Sequence, residues 1–85
     1  MRINKSTQEK LQDVLKSQDF VVRYERGNFR GGHCIVMEEK MIIINKFFPI
    51  ESKINTLVDI IREVPFDETL LSPDQLKLVQ KIKTQ

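Results

Sequence analysis

Cys34-Ile35-Val36-Met37, then Glu38-Glu39-Lys40, then Met41-Ile42-Ile43-Ile44: two apolar runs flanking a short charged segment decide how this 85-residue chain folds. The stretch reads as a β-hairpin with an unusual glycine-free turn, its two acids discouraging edge pairing at the tip. Both strands are apolar on both faces. The sheet they belong to is therefore expected to be covered on both sides, by the chain's own helices or by a partner.

Upstream, Phe20, Val22 and Tyr24 alternate with Val21, Arg23 and Glu25, the two-residue period of a strand with one apolar and one mostly polar face. Between this strand and the hairpin lies Arg26-Gly27-Asn28-Phe29-Arg30-Gly31-Gly32, which holds all three glycines of the chain. Further back, Ser6 and Glu9 fit a capping box, and Leu11, Val14 and Leu15 form one narrow stripe of a surface helix ending near Ser17. Downstream, Pro49 suits a first helical turn, and Ile50, Ile54, Leu57, Val58 and Ile61 give the strongest helical period, which stops before Pro65. Ser72-Pro73-Asp74-Gln75 opens a third helix with a thinner stripe of Leu76, Val79 and Ile82. The expectation is an α+β domain with element order α-β-β-β-α-α, built on a three-stranded, mainly antiparallel sheet. One domain fills residues 1–85, with the C-terminal helix, about 73–83, loosely attached.

Composition narrows the function classes. Fourteen lysines and arginines against twelve acids leave a net charge of +2, too small to announce a nucleic-acid protein. One cysteine forms no internal disulfide, and with one histidine the chain falls short of the usual ligand set of a structural zinc. No signal-peptide run or membrane-length apolar stretch is visible, so a cytoplasmic protein with Cys34 as a thiol is expected.

The charge is nevertheless local. Arg23 to His33 carries three arginines against Glu25, an excess equal to that of the whole chain. Glycine-permitted turns form anion-binding nests, and Arg23, Arg26, Arg30 and Lys46 add charge while Phe29 offers a ring for stacking. Those five residues are the candidate binding set, with Lys77, Lys81 and Lys83 as auxiliary charge for RNA or DNA. The alternative is a tight connection with Phe29 plugging the core edge and the arginines solvated. No Gly-Lys-Ser/Thr follows, so the loop is not a P-loop. His33 and Cys34, adjacent on a strand, point to opposite faces and do not converge on one ion. Asp59 and Glu63, four apart on the second helix, are a weak alternative metal pair, but they project away from its apolar stripe.

From Tyr24 to Val64, Gly27-Asn28-Phe29-Arg30-Gly31-Gly32-His33-Cys34, the apolar hairpin, Ile44-Asn45-Lys46 and Ile54-Asn55-Thr56-Leu57 together resemble a family of small bacterial conserved hypothetical proteins. The resemblance covers about half the chain and implies no activity. The succession helix, sheet, Ile-Ile-Ile-Asn and helix is also similar to the minimal core of ImmA/IrrE-type zinc peptidases. Their second helix bears His-Glu-x-x-His. Asp59 and Glu63 stand where the two histidines would be, and Ile60 where the glutamate would be, so this resemblance implies a zincin-like scaffold without peptidase chemistry.

The reading from sequence is a non-enzymatic binding domain without a cofactor. Its association is expected through apolar sheet surface: if the first two helices cover one face, Val21 and half of the hairpin's apolar side chains remain on the other. The third helix would cover them with Leu70, Leu71, Leu76 and Val79; failing that, a second copy or another protein completes the burial. Weak nucleic-acid binding through residues 23–32 is the alternative.

Overall fold

The computed structural model describes residues 1–26 and 33–84. Its elements are α1 (Lys5–Ser17), β1 (Val21–Glu25), β2 (His33–Val36), β3 (Met41–Asn45), α2 (Ile50–Glu63) and α3 (Pro73–Lys83), the expected α+β order.

α1 begins earlier than the Ser6–Glu9 pair suggests. Asn4 is the cap, extended at φ −151°, with its Oδ1 accepting the Thr7 N–H at 2.8 Å. Asn and Ser cap about equally well, so a start two residues upstream leaves the Leu11, Val14, Leu15 stripe unchanged. The helix ends as expected at Ser17. Beyond it Asp19 takes a left-handed φ of 66°, and the N–H groups of Asp19 and Phe20 return to the carbonyls of Lys16 and Leu15. This is a Schellman closure, and it turns the chain so that Phe20 is buried in the same core as Leu15.

The sheet order is β1-β3-β2. β2 and β3 form the expected antiparallel hairpin, His33 opposite Ile44 and Val36 opposite Met41. β1 joins β3 in parallel, Val21 beside Met41 through Glu25 beside Asn45, so the sheet is mixed. The strand bearing Arg23 and Glu25 takes one edge, as polar strands do, and β3 lies between it and the other apolar strand, β2. The hairpin turn is glycine-free, a 3₁₀ turn over Met37–Glu39 followed by Lys40 at φ 49°. Its ammonium donates to the Gln18 carbonyl at 3.1 Å and lies 5.8 Å from the Phe20 ring.

Register partners share a face. Val22, Ile42 and Ile35 form one row across the sheet and Tyr24, Ile44 and His33 the next. On that face sits one core, in which Ile42 and Ile44 meet Leu11, Val14 and Leu15 of α1, Ile54, Leu57, Ile60 and Ile61 of α2, and Val79 and Ile82 of α3. Ile60, outside the stripe read from sequence, is fully buried because α2 touches the sheet, α1 and α3 together. Pro49 sits at the N-cap of α2 rather than inside its first turn, and Val64 closes the helix before Pro65.

α3 starts with the expected reciprocal box, Ser72 Oγ accepting from Gln75 N–H and Gln75 Oε1 from Ser72 N–H. It does not fold over the second sheet face. It packs on α1 and α2, and Leu70 is 52% exposed. The connection ahead of it explains why: Gln18, 6% exposed, accepts the Asp67 N–H at 2.7 Å and donates to the Asp67 carbonyl at 3.1 Å, holding the approach to α3 on the helical side. At the other end Arg62 Nε and Lys83 Nζ donate to the carbonyls of Ile82 and Val64.

Candidate interaction face

With all three helices on one side, the alternating side chains of the strands form a second face. Val21, Met41 and Val36 make one row, Arg23, Ile43 and Cys34 the next, and Glu25 and Asn45 the last. Val21 is 52% exposed, while Cys34, Val36, Met41 and Ile43 are half-buried. None of these five packs against the core cluster. Met37 at the hairpin turn is also half exposed, extending the apolar surface at that end. The face is thus an apolar centre over three strands, with one cation and one anion along the β1 side.

The other candidate residues distribute as follows. Arg23 is exposed on this face, with Ile43 as its register neighbour. Arg26 is exposed just past β1, and the Lys46 N–H donates to the Glu25 carbonyl at 3.0 Å, so the chain segments carrying Arg26 and Lys46 run side by side. Phe29 and Arg30, with the rest of the Gly-rich segment 27–32, lie outside the described residues. Lys46 holds its ammonium 5.2 Å from the ring of Phe47. That ring is 65% exposed, whereas its neighbour Phe48 packs against the core. Reading from sequence missed Phe47. Its signal was two adjacent aromatics between a strand and Pro49, a spacing at which both rings cannot face one core.

Lys77 and Lys81 are exposed on α3, but Lys83 is engaged, its ammonium 5.0 Å from the Phe66 ring. Asp59 and Glu63 are exposed on α2, and Asp59 Oδ1 is 3.7 Å from Arg62 Nη1. His33 and Cys34 fall on opposite sheet faces as their adjacency requires, His33 in the row of Ile44 and Cys34 in the row of Ile43. Among the described residues no group of three His, Cys, Asp or Glu side chains gathers as a metal site. No helix among them is long and apolar enough to cross a membrane.

On the helical side, a groove of about 420 Å³ between α1 and α3 is lined by Lys10, Asp13, Asp74, Gln75 and Leu78. Nearer the sheet, Tyr24 is half-buried between α1 and α2. Its hydroxyl donates to Gln12 Oε1 and accepts from Gln8 Nε2 at 2.9 Å, and the Lys53 ammonium lies 5.3 Å from its ring. Burial raises the phenol's pKa above its ordinary value of 10.0, with the Gln8 hydrogen bond working against that rise.

Comparison with family models, characterised proteins and solved structures finds no match for this chain. The functional reading therefore rests on its own residues.

Proposed function

We propose that the protein is a non-enzymatic association module whose second sheet face docks on an amphipathic helix of a partner protein. One observation carries this reading: Val21, Cys34, Val36, Met41 and Ile43 share a face that contributes nothing to the core. Two physical arguments select the occupant. Sheets with parallel pairing are normally layered on both faces, and here the chain's own helices supply one layer. Three strands at about 4.8 Å spacing span roughly 10 Å between outer axes, close to the width of a single helix. Arg23 and Glu25 would meet that helix's polar flank.

Cys34 supplies a test, because its thiol lies within the proposed contact. A photoactivatable cross-linker attached there, followed by peptide identification after exposure to native cell extract, is expected to tag one foreign peptide with apolar residues at i, i+3, i+4 and i+7. Ile43→Lys should abolish the cross-link while the circular dichroism spectrum is retained. Tagging confined to a second copy of this chain, or tagging that persists in Ile43→Lys, overturns the reading.

A second reading, weak contact with single-stranded nucleic acid, has Phe47 in its favour: an exposed ring flanked by Lys46 and near Arg26 is the make-up of a stacking platform. Changing Phe47 and Lys46 together to Ala should then abolish binding to a single-stranded oligonucleotide at low salt, and a flat titration of the unmodified protein removes this reading.

A further inference from the structure

The outer edge of β1 carries a pairing code of its own, independent of what covers the second sheet face. In a strand, the N–H and C=O of one residue point to one side and those of the next to the other. Val21 N–H donates to the Lys40 carbonyl at 2.8 Å and the Glu25 carbonyl accepts from Lys46, so Val21, Arg23 and Glu25 direct their main-chain groups at β3. The groups of Val22 and Tyr24 then point away from the sheet, and Arg26, just past the strand end, is next in the same alternation. Among the described residues no strand or side chain takes them up at Val22 or Tyr24.

We infer that this edge pairs with the β1 edge of a second copy of the chain, antiparallel, about a two-fold axis through Tyr24. The charges select this register. Centring the pair on Arg23 sets Arg23 against its own copy, and centring it on Glu25 opposes two carboxylates. Centring on Val22 sets Arg23 against Val21. Centring on Tyr24 places Arg23 opposite Glu25 of the second copy, twice by symmetry. It does so at non-hydrogen-bonded positions, where facing Cα atoms are only about 4.5 Å apart. In the same register the outward groups of Tyr24 exchange hydrogen bonds with their own symmetry mates, and those of Val22 meet those of Arg26. Every outward donor is thus matched by an outward acceptor. Arg23 and Glu25 are exposed and form no ion pair among the described residues.

Because the axis is normal to the sheet, pairing produces a continuous six-stranded sheet with both helical layers on one side. The two apolar second faces become contiguous on the other.

Charge reversal tests the register. Sedimentation equilibrium of the full chain at low salt should show a concentration-dependent monomer–dimer equilibrium. Arg23→Glu alone and Glu25→Arg alone place like charges opposite one another and should each weaken dimerisation at least tenfold. An equimolar mixture of the two single variants should recover it as a heterodimer, as should the doubly reversed chain as a homodimer. Circular dichroism of each variant checks that the fold is kept. A wild type that stays monomeric at millimolar concentration, or a mixture that fails to recover dimer, overturns the inference. A dimer insensitive to both reversals but lost in Ile43→Lys also overturns it, and would locate self-association on the second sheet face instead.

Discussion

At the C-terminus of α1, Asp19 occupies a conformation that a side chain with a Cβ disfavours, held there by the Schellman hydrogen bonds to Lys16 and Leu15. The side chain is exposed and serves no contact in the core. Asp19→Gly is therefore expected to raise the unfolding free energy by about 1 kcal/mol, read as a higher urea midpoint at unchanged slope. Asp19→Val should lower it by at least as much, because a β-branched residue fits that region worst. Lys40 has a similar backbone conformation but the opposite prognosis. Its ammonium reaches the Gln18 carbonyl and the Phe20 ring, so removing the side chain relieves the backbone and loses those contacts at once. Two left-handed residues in one small chain thus differ in whether glycine would improve them.

Between elements, α1 meets β1 through a polar contact at Tyr24, whose hydroxyl bonds to Gln8 and Gln12. Its phenol is raised by burial, so the neutral form is favoured in the folded chain. That contribution is fully present below the unfolded value near 10 and is lost as pH rises through the higher folded pKa. Urea unfolding between about pH 8 and 11 should show a steeper alkaline decline in wild type than in Tyr24→Phe, even though the Phe variant starts lower through loss of the Gln8 and Gln12 bonds. Equal slopes would dismiss Tyr24 as the cause. The elements themselves were largely legible. Periodicity found the three helices and β1, the two apolar runs marked β2 and β3, and the Ser72-Pro73-Gln75 signal found the start of α3, because these depend on neighbours in sequence. The parallel seating of β1 against β3 was not legible, since no local signal records which of three strands lies in the middle. Nor was the seat of α3, which depends on the grip of Gln18 on the backbone of Asp67, a contact 49 residues apart. Of the candidate site, Arg23 and the apolar sheet surface could be named in advance. The row that gathers Val21, Cys34, Val36, Met41 and Ile43 became definable only with the register.

For the molecule as a whole, the one-sided layering makes adjacent residues of β3 energetically unlike. Ile42 is fully buried beneath the helices and Ile43 lies on the second face. Ile42→Ala is expected to cost about 2–5 kcal/mol, as for other buried isoleucines, and Ile43→Ala less than about 1.5. Comparable losses at the two positions, measured by urea midpoint, would mean that the second face is covered within the chain. The same strand governs the order in which the chain can assemble. β1 and β2 are made first yet never touch as neighbours, since β3 is inserted between them. A nascent chain ending before Met41 therefore carries two strands with nothing to pair with, and its apolar residues wait for the central strand to leave the ribosome. Once Met41 to Asn45 is available, β3 offers one edge to each of the two waiting strands, and both ladders can close on it.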